Sequence, residues 1–161
     1  MDHNTKPEMW CDMDGNREWF FRAQRHRDND LPAVVHCDGT EMWYQHGLRH
    51  RDGDEPAVMH GDGTRTWYQH GKMHRDGDKP ATIRLNGDLE WYPHDKRHRV
   101  NGPAIIRYGQ QEWWYDGNLH RLDGPAVVHN TGIEQWWVNG VRISHYEHKS
   151  VSEMYTLRLF C

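Results

Sequence analysis

Residues Trp43 to Thr66 read WYQHGLRHRDGDEPAVMHGDGTRT, and the next 24, Trp67 to Glu90, read WYQHGKMHRDGDKPATIRLNGDLE. Degraded copies lie on both sides. One Trp recurs at Trp19, Trp43, Trp67, Trp91, Trp113 and Trp136, in steps of 24, 24, 24, 22 and 23 residues. A glycine stands four residues before each, from Gly15 to Gly132. His-Arg pairs follow the first five, from His26-Arg27 to His120-Arg121, and Pro-Ala follows each pair. Self-similarity at this period is the signature of a repeat array, in which each unit covers its neighbours.

One unit reads as a β-hairpin with a third short piece. Ala33-Val34-Val35-His36 is β-prone, and Cys37-Asp38-Gly39-Thr40 supplies a turn with glycine where φ is positive. Glu41-Met42-Trp43-Tyr44-Gln45 returns, His46-Gly47 breaks the strand, and Leu48-Arg49-His50-Arg51 extends again. Proline in the bend Asp52 to Pro56 suits an edge or entry position. Glycine or proline punctuates every six to ten residues, which disfavours helix. The fold expected is all-β: a single-layer, twisted array of about five to six stacked hairpins. Alternation along the strand puts Trp and the alanine after proline on the packed side. The neighbouring aromatics Phe20, Tyr44, Tyr68, Tyr92 and Trp114 face the other way.

The fourth and fifth bends reach proline one residue sooner, at Asn101-Gly102-Pro103 and Asp123-Gly124-Pro125. A deletion inside a strand would flip its faces, so these fall in the bends. Residues 1–14 read as an N-terminal cap or partial repeat around Pro7, Met9 and Trp10, residues 15–144 as the repeats, and residues 145–161 as a C-terminal cap. That last segment reads either as a strand (Tyr155, Leu157 and Leu159 alternate) or as a short helix from Ser150.

A chain of 161 residues has one domain's length. Its 35% hydrophobic content and mean hydropathy of −1.09 lean towards disorder, but nine Trp, seven Tyr and three Phe argue for a thin aromatic core. The net charge of −4 is well mixed, with no basic stripe for duplex nucleic acid and no polybasic membrane patch. Cys11, Cys37 and Cys161 are odd in number and out of register, which suits a reducing cytoplasm. No apolar leader or span is evident, so no membrane is expected.

The unit, W-Y-x-x-G-x-x-H-R-x-D-G-P-A, resembles the MORN repeat over roughly residues 7–143. It is closest to the HRxDGPA variant of bacterial, phage and large-virus proteins. The resemblance implies hairpins stacked in a twisted single-layer sheet. It also implies a scaffold that binds proteins or dimerises, the related variant being antitoxin-like. His-Arg replaces the usual His-Gly-type pair, so lipid contact is not carried over.

No nucleophile elbow, P-loop or GxGxxG pattern is present, and no enzyme or cofactor is expected. Histidines of successive hairpins lie roughly 10 Å apart, too far to share a zinc ion, and no metal is expected. Two readings of the His-Arg-Asp series stand. In the structural one, Asp caps its own turn, Arg pairs with the neighbouring unit, and His packs on Trp with one nitrogen on a backbone carbonyl. In the functional one, Tyr44, Tyr68 and Tyr92 with Arg51, Arg75 and Arg99 form rows that bind a partner or clamp a small anion such as a nucleotide. The leading expectation is a non-catalytic, cytoplasmic protein-binding array, an inhibitor or antitoxin-type protein. The alternative is a sponge for a small anion. A second copy of the chain is a further candidate partner.

Overall fold

The computed structural model describes residues 6–158. It is all-β and rich in antiparallel hairpins, with one helix at the C-terminal end. Fourteen short strands form one open antiparallel sheet that follows chain order. It starts with Glu8–Cys11 against Arg17–Phe21 and ends with Glu134–Val138 against Val141–Ile143. Between these, each unit adds two strands. In the first full units these are Val34–Val35 with Glu41–Met42, then Val58–Met59 with Arg65–Thr66.

In three of the middle units the remaining third leaves this sheet at the repeated Trp. Tyr44–Gln45 pairs with Leu48–Arg49, Tyr68–Gln69 with Lys72–Met73, and Trp114–Tyr115 with Asn118–Leu119. The Trp backbone is the crossing point. Trp43 donates its N–H to Ala57 in the main sheet and accepts from His50 in the small hairpin. Small hairpins also bond along the array, as Gly47 N–H does to Arg25 and Gly71 N–H to Arg49. After Trp91 no second hairpin forms, because Pro93 stands where Gln45 and Gln69 pair and has no N–H to give.

The register sets each Trp beside the alanine of the next unit. Ala33, Ala57, Ala81, Ala104 and Ala126 are fully buried, and Trp43, Trp67 and Trp91 nearly so. On the other side, Tyr44 is buried against Val34 and Met42, whereas Tyr68 and Tyr92 are half-buried.

The small hairpins turn on two consecutive residues of positive φ, the type I′ geometry that matches strand twist. His46-Gly47, His70-Gly71, Asp116-Gly117 and Asn139-Gly140 provide it, and so does Arg22-Ala23; His94-Asp95 keeps the two positive φ values without a strand pair. Asp95 gains a compensating bond, its carboxylate accepting from Met73 N–H at 2.6 Å. Ala23, at φ 61°, carries the left-handed strain on its Cβ. Ala23→Gly should therefore stabilise the chain by about 1 kcal/mol, raising Tm by roughly 2–4 °C in a calorimetric scan.

A different glycine is fixed by close approach. At Gly61 a Cβ would collide with the Asp38 carbonyl oxygen of the preceding turn, while the Gly61 N–H donates to Thr40 Oγ1 at 3.1 Å. The contact between turns makes it the demanding glycine. Gly61→Ala should cost about 1–3 kcal/mol, as overpacking does, read as a fall in thermal midpoint.

The C-terminal segment is the helix His145–Arg158, starting five residues before Ser150. Ser144 and Glu147 form a capping box: Ser144 Oγ accepts from Glu147 N–H at 3.2 Å, and the Glu147 carboxylate accepts from Ser144 N–H at 2.7 Å. The strand reading of this tail is thereby corrected up to Arg158. Leu159, Phe160 and Cys161 lie outside the described residues. His145 stacks on Trp136 at 4.5 Å and His148 packs against it tilted at 4.6 Å, which seats the helix on the last strands.

Candidate functional site

Along the Trp side, one arrangement recurs from unit to unit. The Trp43 indole N–H donates to the Asp30 carbonyl at 3.1 Å, and the Arg51 guanidinium lies 4.0 Å above the Trp43 ring. Arg51 also grips the Asp30 carboxylate through Nε and Nη2 at 2.8 and 2.7 Å and donates to the Pro56 carbonyl. Trp67, Asp54, Arg75 and Pro80 repeat it, and so do Trp91, Asp78, Arg99 and Pro103. Each staple joins a bend to the unit that follows.

The shortened bend at Asn101-Gly102-Pro103 deletes the residue equivalent to Asp30, Asp54 and Asp78. Arg121 accordingly lies on Trp113 at 4.0 Å but turns to Asp123 of its own bend at 2.8 Å. The Asp54 carboxyl is held down at about 2, first by Arg75 and then by Lys79. Arg51 is raised by its bond to Asp30.

The histidines depart from expectation. Arg, not His, covers Trp in the repeats, because the planar cation uses the ring's negative face while its fork stays free for Asp. His50 stacks on His70 of the next unit at 4.4 Å, and its Nδ1 accepts the His70 backbone N–H at 3.2 Å. The proton therefore sits on Nε2, which donates to Asp52 at 3.0 Å. Asp52 also accepts from Gln45, and its pKa is lowered first by His50 and then by Gln45. His26 and His74 stack alike on His46 and His94, at 4.8 and 4.1 Å. At the C-terminal end, His148 does pack on Trp136, with Nε2 2.8 Å from the Arg121 carbonyl.

The two rows of named candidates are not brought together. Arg51, Arg75 and Arg99 lie on Trp43, Trp67 and Trp91 and are spent on Asp. Tyr44, Tyr68 and Tyr92 meet other arginines. Arg25 lies 5.6 Å from the Tyr44 ring centre, Arg49 lies 5.2 Å from that of Tyr68, and Arg97 lies 5.8 Å from that of Tyr92. Arg49 Nε donates to Tyr44 OH at 3.1 Å, and Arg97 Nε to Tyr92 OH at 2.9 Å. This second row was legible as a 24-residue recurrence, Arg25, Arg49, Met73 and Arg97, one position before the more conspicuous His-Arg pairs.

A further cluster follows no repeat. Glu90, nearly buried, accepts from Arg107 Nη2 at 2.7 Å, from Tyr92 OH at 2.8 Å and from Arg84 Nη1. Burial pushes its carboxyl up, but Arg107, Arg84 and Tyr92 together outweigh that and hold it below the usual range. The same place in the other units holds Glu18, Met42, Thr66, Glu112 and Gln135, and only at Glu90 do two arginines meet on it.

Among the described residues, no group of three or more His, Cys, Asp or Glu side chains is placed to hold a metal, and no helix is long and apolar enough to cross a membrane. Cys11 and Cys37 are exposed free thiols. No family model matches the chain, and no curated protein matches it.

Proposed function

We propose that the chain is a non-catalytic repeat scaffold, a MORN-like single-layer solenoid with caps at residues 1–14 and 145–161, that binds a protein partner. The observation behind this reading is an apolar edge on the turn tips. Leu85, Tyr108 and Ile133 are 83%, 77% and 61% exposed, and they stand on the turns of three successive units. Exposed apolar groups gathered on a rigid frame mark contact surfaces, and tyrosine is among the residues that dominate binding energy. The repeated Arg, His and Asp side chains, by contrast, are engaged with their own neighbours. The array supplies a stiff support and the tips supply the contact. The resemblance to the HRxDGPA repeat supports a phage or bacterial inhibitor or antitoxin-type protein that meets its partner in the cytoplasm of the cell or host.

Affinity capture from bacterial lysate, with mass spectrometry, tests this. The expected result is one stoichiometric partner that is lost when Leu85, Tyr108 and Ile133 are all changed to Glu, with the melting curve unchanged. Capture of no stoichiometric protein by the folded chain, or equal capture by the triple variant, would refute it.

A further inference from the structure

The face carrying Tyr68 and Tyr92 has a cleft of about 480 Å³, lined among others by Arg84, Arg97, Arg107 and Glu90. That volume lies within the range of small-molecule sites. The chain is most regular elsewhere and breaks its own pattern here. The row that reads His36, His60 and His129 in other units reads Arg84 and Arg107 in these two. Both arginines turn inward onto one carboxylate, Glu90, at a place where the two preceding units have Met42 and Thr66 and the next has Glu112. The neighbouring units stack without a pair of arginines on that position, so stacking does not require the pair.

The cluster is also incompletely satisfied. Arg107 Nε is buried with no partner, and a buried donor without an acceptor is uncommon in a settled core. The side chains of Arg84 and Arg107 remain 36% and 40% exposed, so each keeps part of its guanidinium open to the cleft. Arg97 bonds to Tyr92 OH through Nε, which leaves its two terminal nitrogens, and it lies 5.0 Å from the Trp114 ring centre. Two guanidiniums thus share one buried carboxylate, and Arg97 is linked to it through the Tyr92 hydroxyl. Glu112, engaged by Gln110 and Trp114, and Asp62 complete the acidic surroundings.

We propose that this cleft binds a small phosphate-bearing molecule, its phosphate oxygens taken by the outer nitrogens of Arg84, Arg97 and Arg107. Guanidinium forks match phosphate geometry bidentately, which a lysine cluster would not. Glu90 acts as the internal anion that keeps the forks aligned when the cleft is empty. The site is independent of the apolar turn edge, and it uses none of Arg51, Arg75 and Arg99.

Isothermal titration at low and physiological salt, with inorganic pyrophosphate, adenosine 5′-monophosphate and ATP as separate probes, tests this. Saturable binding of at least one probe is expected, with Arg107→Gln weakening it tenfold or more. Arg17→Gln, which removes the same charge away from the cleft, should change it less than twofold. Glu90→Gln frees both forks from their internal competitor, so a folded Glu90→Gln chain should bind about tenfold tighter. Pyrophosphate binding as well as the nucleotides would identify a bare phosphate site. Preference for the nucleotides would add stacking on the aromatic wall. No heat from any probe at millimolar concentration with folded protein would overturn the proposal, as would equal weakening by Arg107→Gln and Arg17→Gln.

Discussion

Trp67→Ala should split or unfold the array, while Trp19→Ala should fray one end and leave most of it folded. Trp67 is 6% exposed, sits beside buried Ala81, donates its indole N–H to Asp54 at 2.9 Å and supports Arg75 at 3.8 Å. Removing the ring deletes aromatic burial and also the platform on which the guanidinium rests. Aromatic-to-alanine changes in a core cost about 3–5 kcal/mol, against total stabilities of about 5–15 kcal/mol. In a stack whose stability sums unit and neighbour contributions, a central loss also uncouples the two halves. Trp19 is only half-buried and lies on the strand next to the edge strand Glu8–Cys11. A calorimetric scan of Trp67→Ala should show two transitions or none above ambient temperature, and Trp19→Ala one slightly lowered main transition. Equal losses in the two variants would mean that the chain unfolds as one undivided unit.

Arg75→Ala should destabilise the chain by about 2–3 kcal/mol without removing any surface that a partner touches. Its guanidinium is 15% exposed, and its ion pair to Asp54 is partly open to water, so the pair alone is worth about 1 kcal/mol or less. The contact with the Trp67 ring adds about 0.5–2 kcal/mol. The bond to the Pro80 carbonyl and the packing of the alkyl stem supply the rest. A fall in Tm of roughly 5–10 °C is expected for a chain of this size. Arg75→Lys should recover less than half, because an ammonium cannot stack and fork at once. Partner capture at a temperature where the variant is folded should be unaffected. A variant that loses its partner while keeping its wild-type Tm would place Arg75 in the contact surface.

The same staple has an acid signature. With its pKa lowered to about 2 from an ordinary 3.8, Asp54 adds stability that is present above about pH 4 and lost as pH falls through 2. Asp54→Asn should lie below wild type at neutral pH and show a shallower decline between pH 4 and 2. Parallel pH profiles would mean that Asp54 makes no net contribution.

The repeat itself determined much of this architecture. A 24-residue period with glycine, Trp and Pro-Ala in register already yields strands, turns and the placing of Trp and alanine on the packed side. Those features rest on local backbone preference and strict alternation, which need no knowledge of distant residues. The one-residue deletions fell in the bends for the same reason. The capping box Ser144-His145-Tyr146-Glu147 is equally local and marks a helix start, whereas the alternation of Tyr155, Leu157 and Leu159 suits a strand as well.

Partners across units were another matter. Whether Arg or His would cover Trp is undecided by spacing, since both follow it by seven or eight residues and both are flat. The crossing of the chain at Trp decides it, because it turns Arg51 over the ring and leaves His50 against His70 of the next unit. Gly61 likewise looks like its neighbours until the preceding turn is laid 21 residues away in sequence and in direct contact in space. The Glu90 cluster depends on three segments, around Arg84, Glu90 and Arg107, meeting on one face. Sequence shows Arg84 and Arg107 only as departures from the row of His36, His60 and His129. The sheet register converts the departures into a buried charge with two cations on it, because antiparallel pairing sets side chains from separate strands opposite one another.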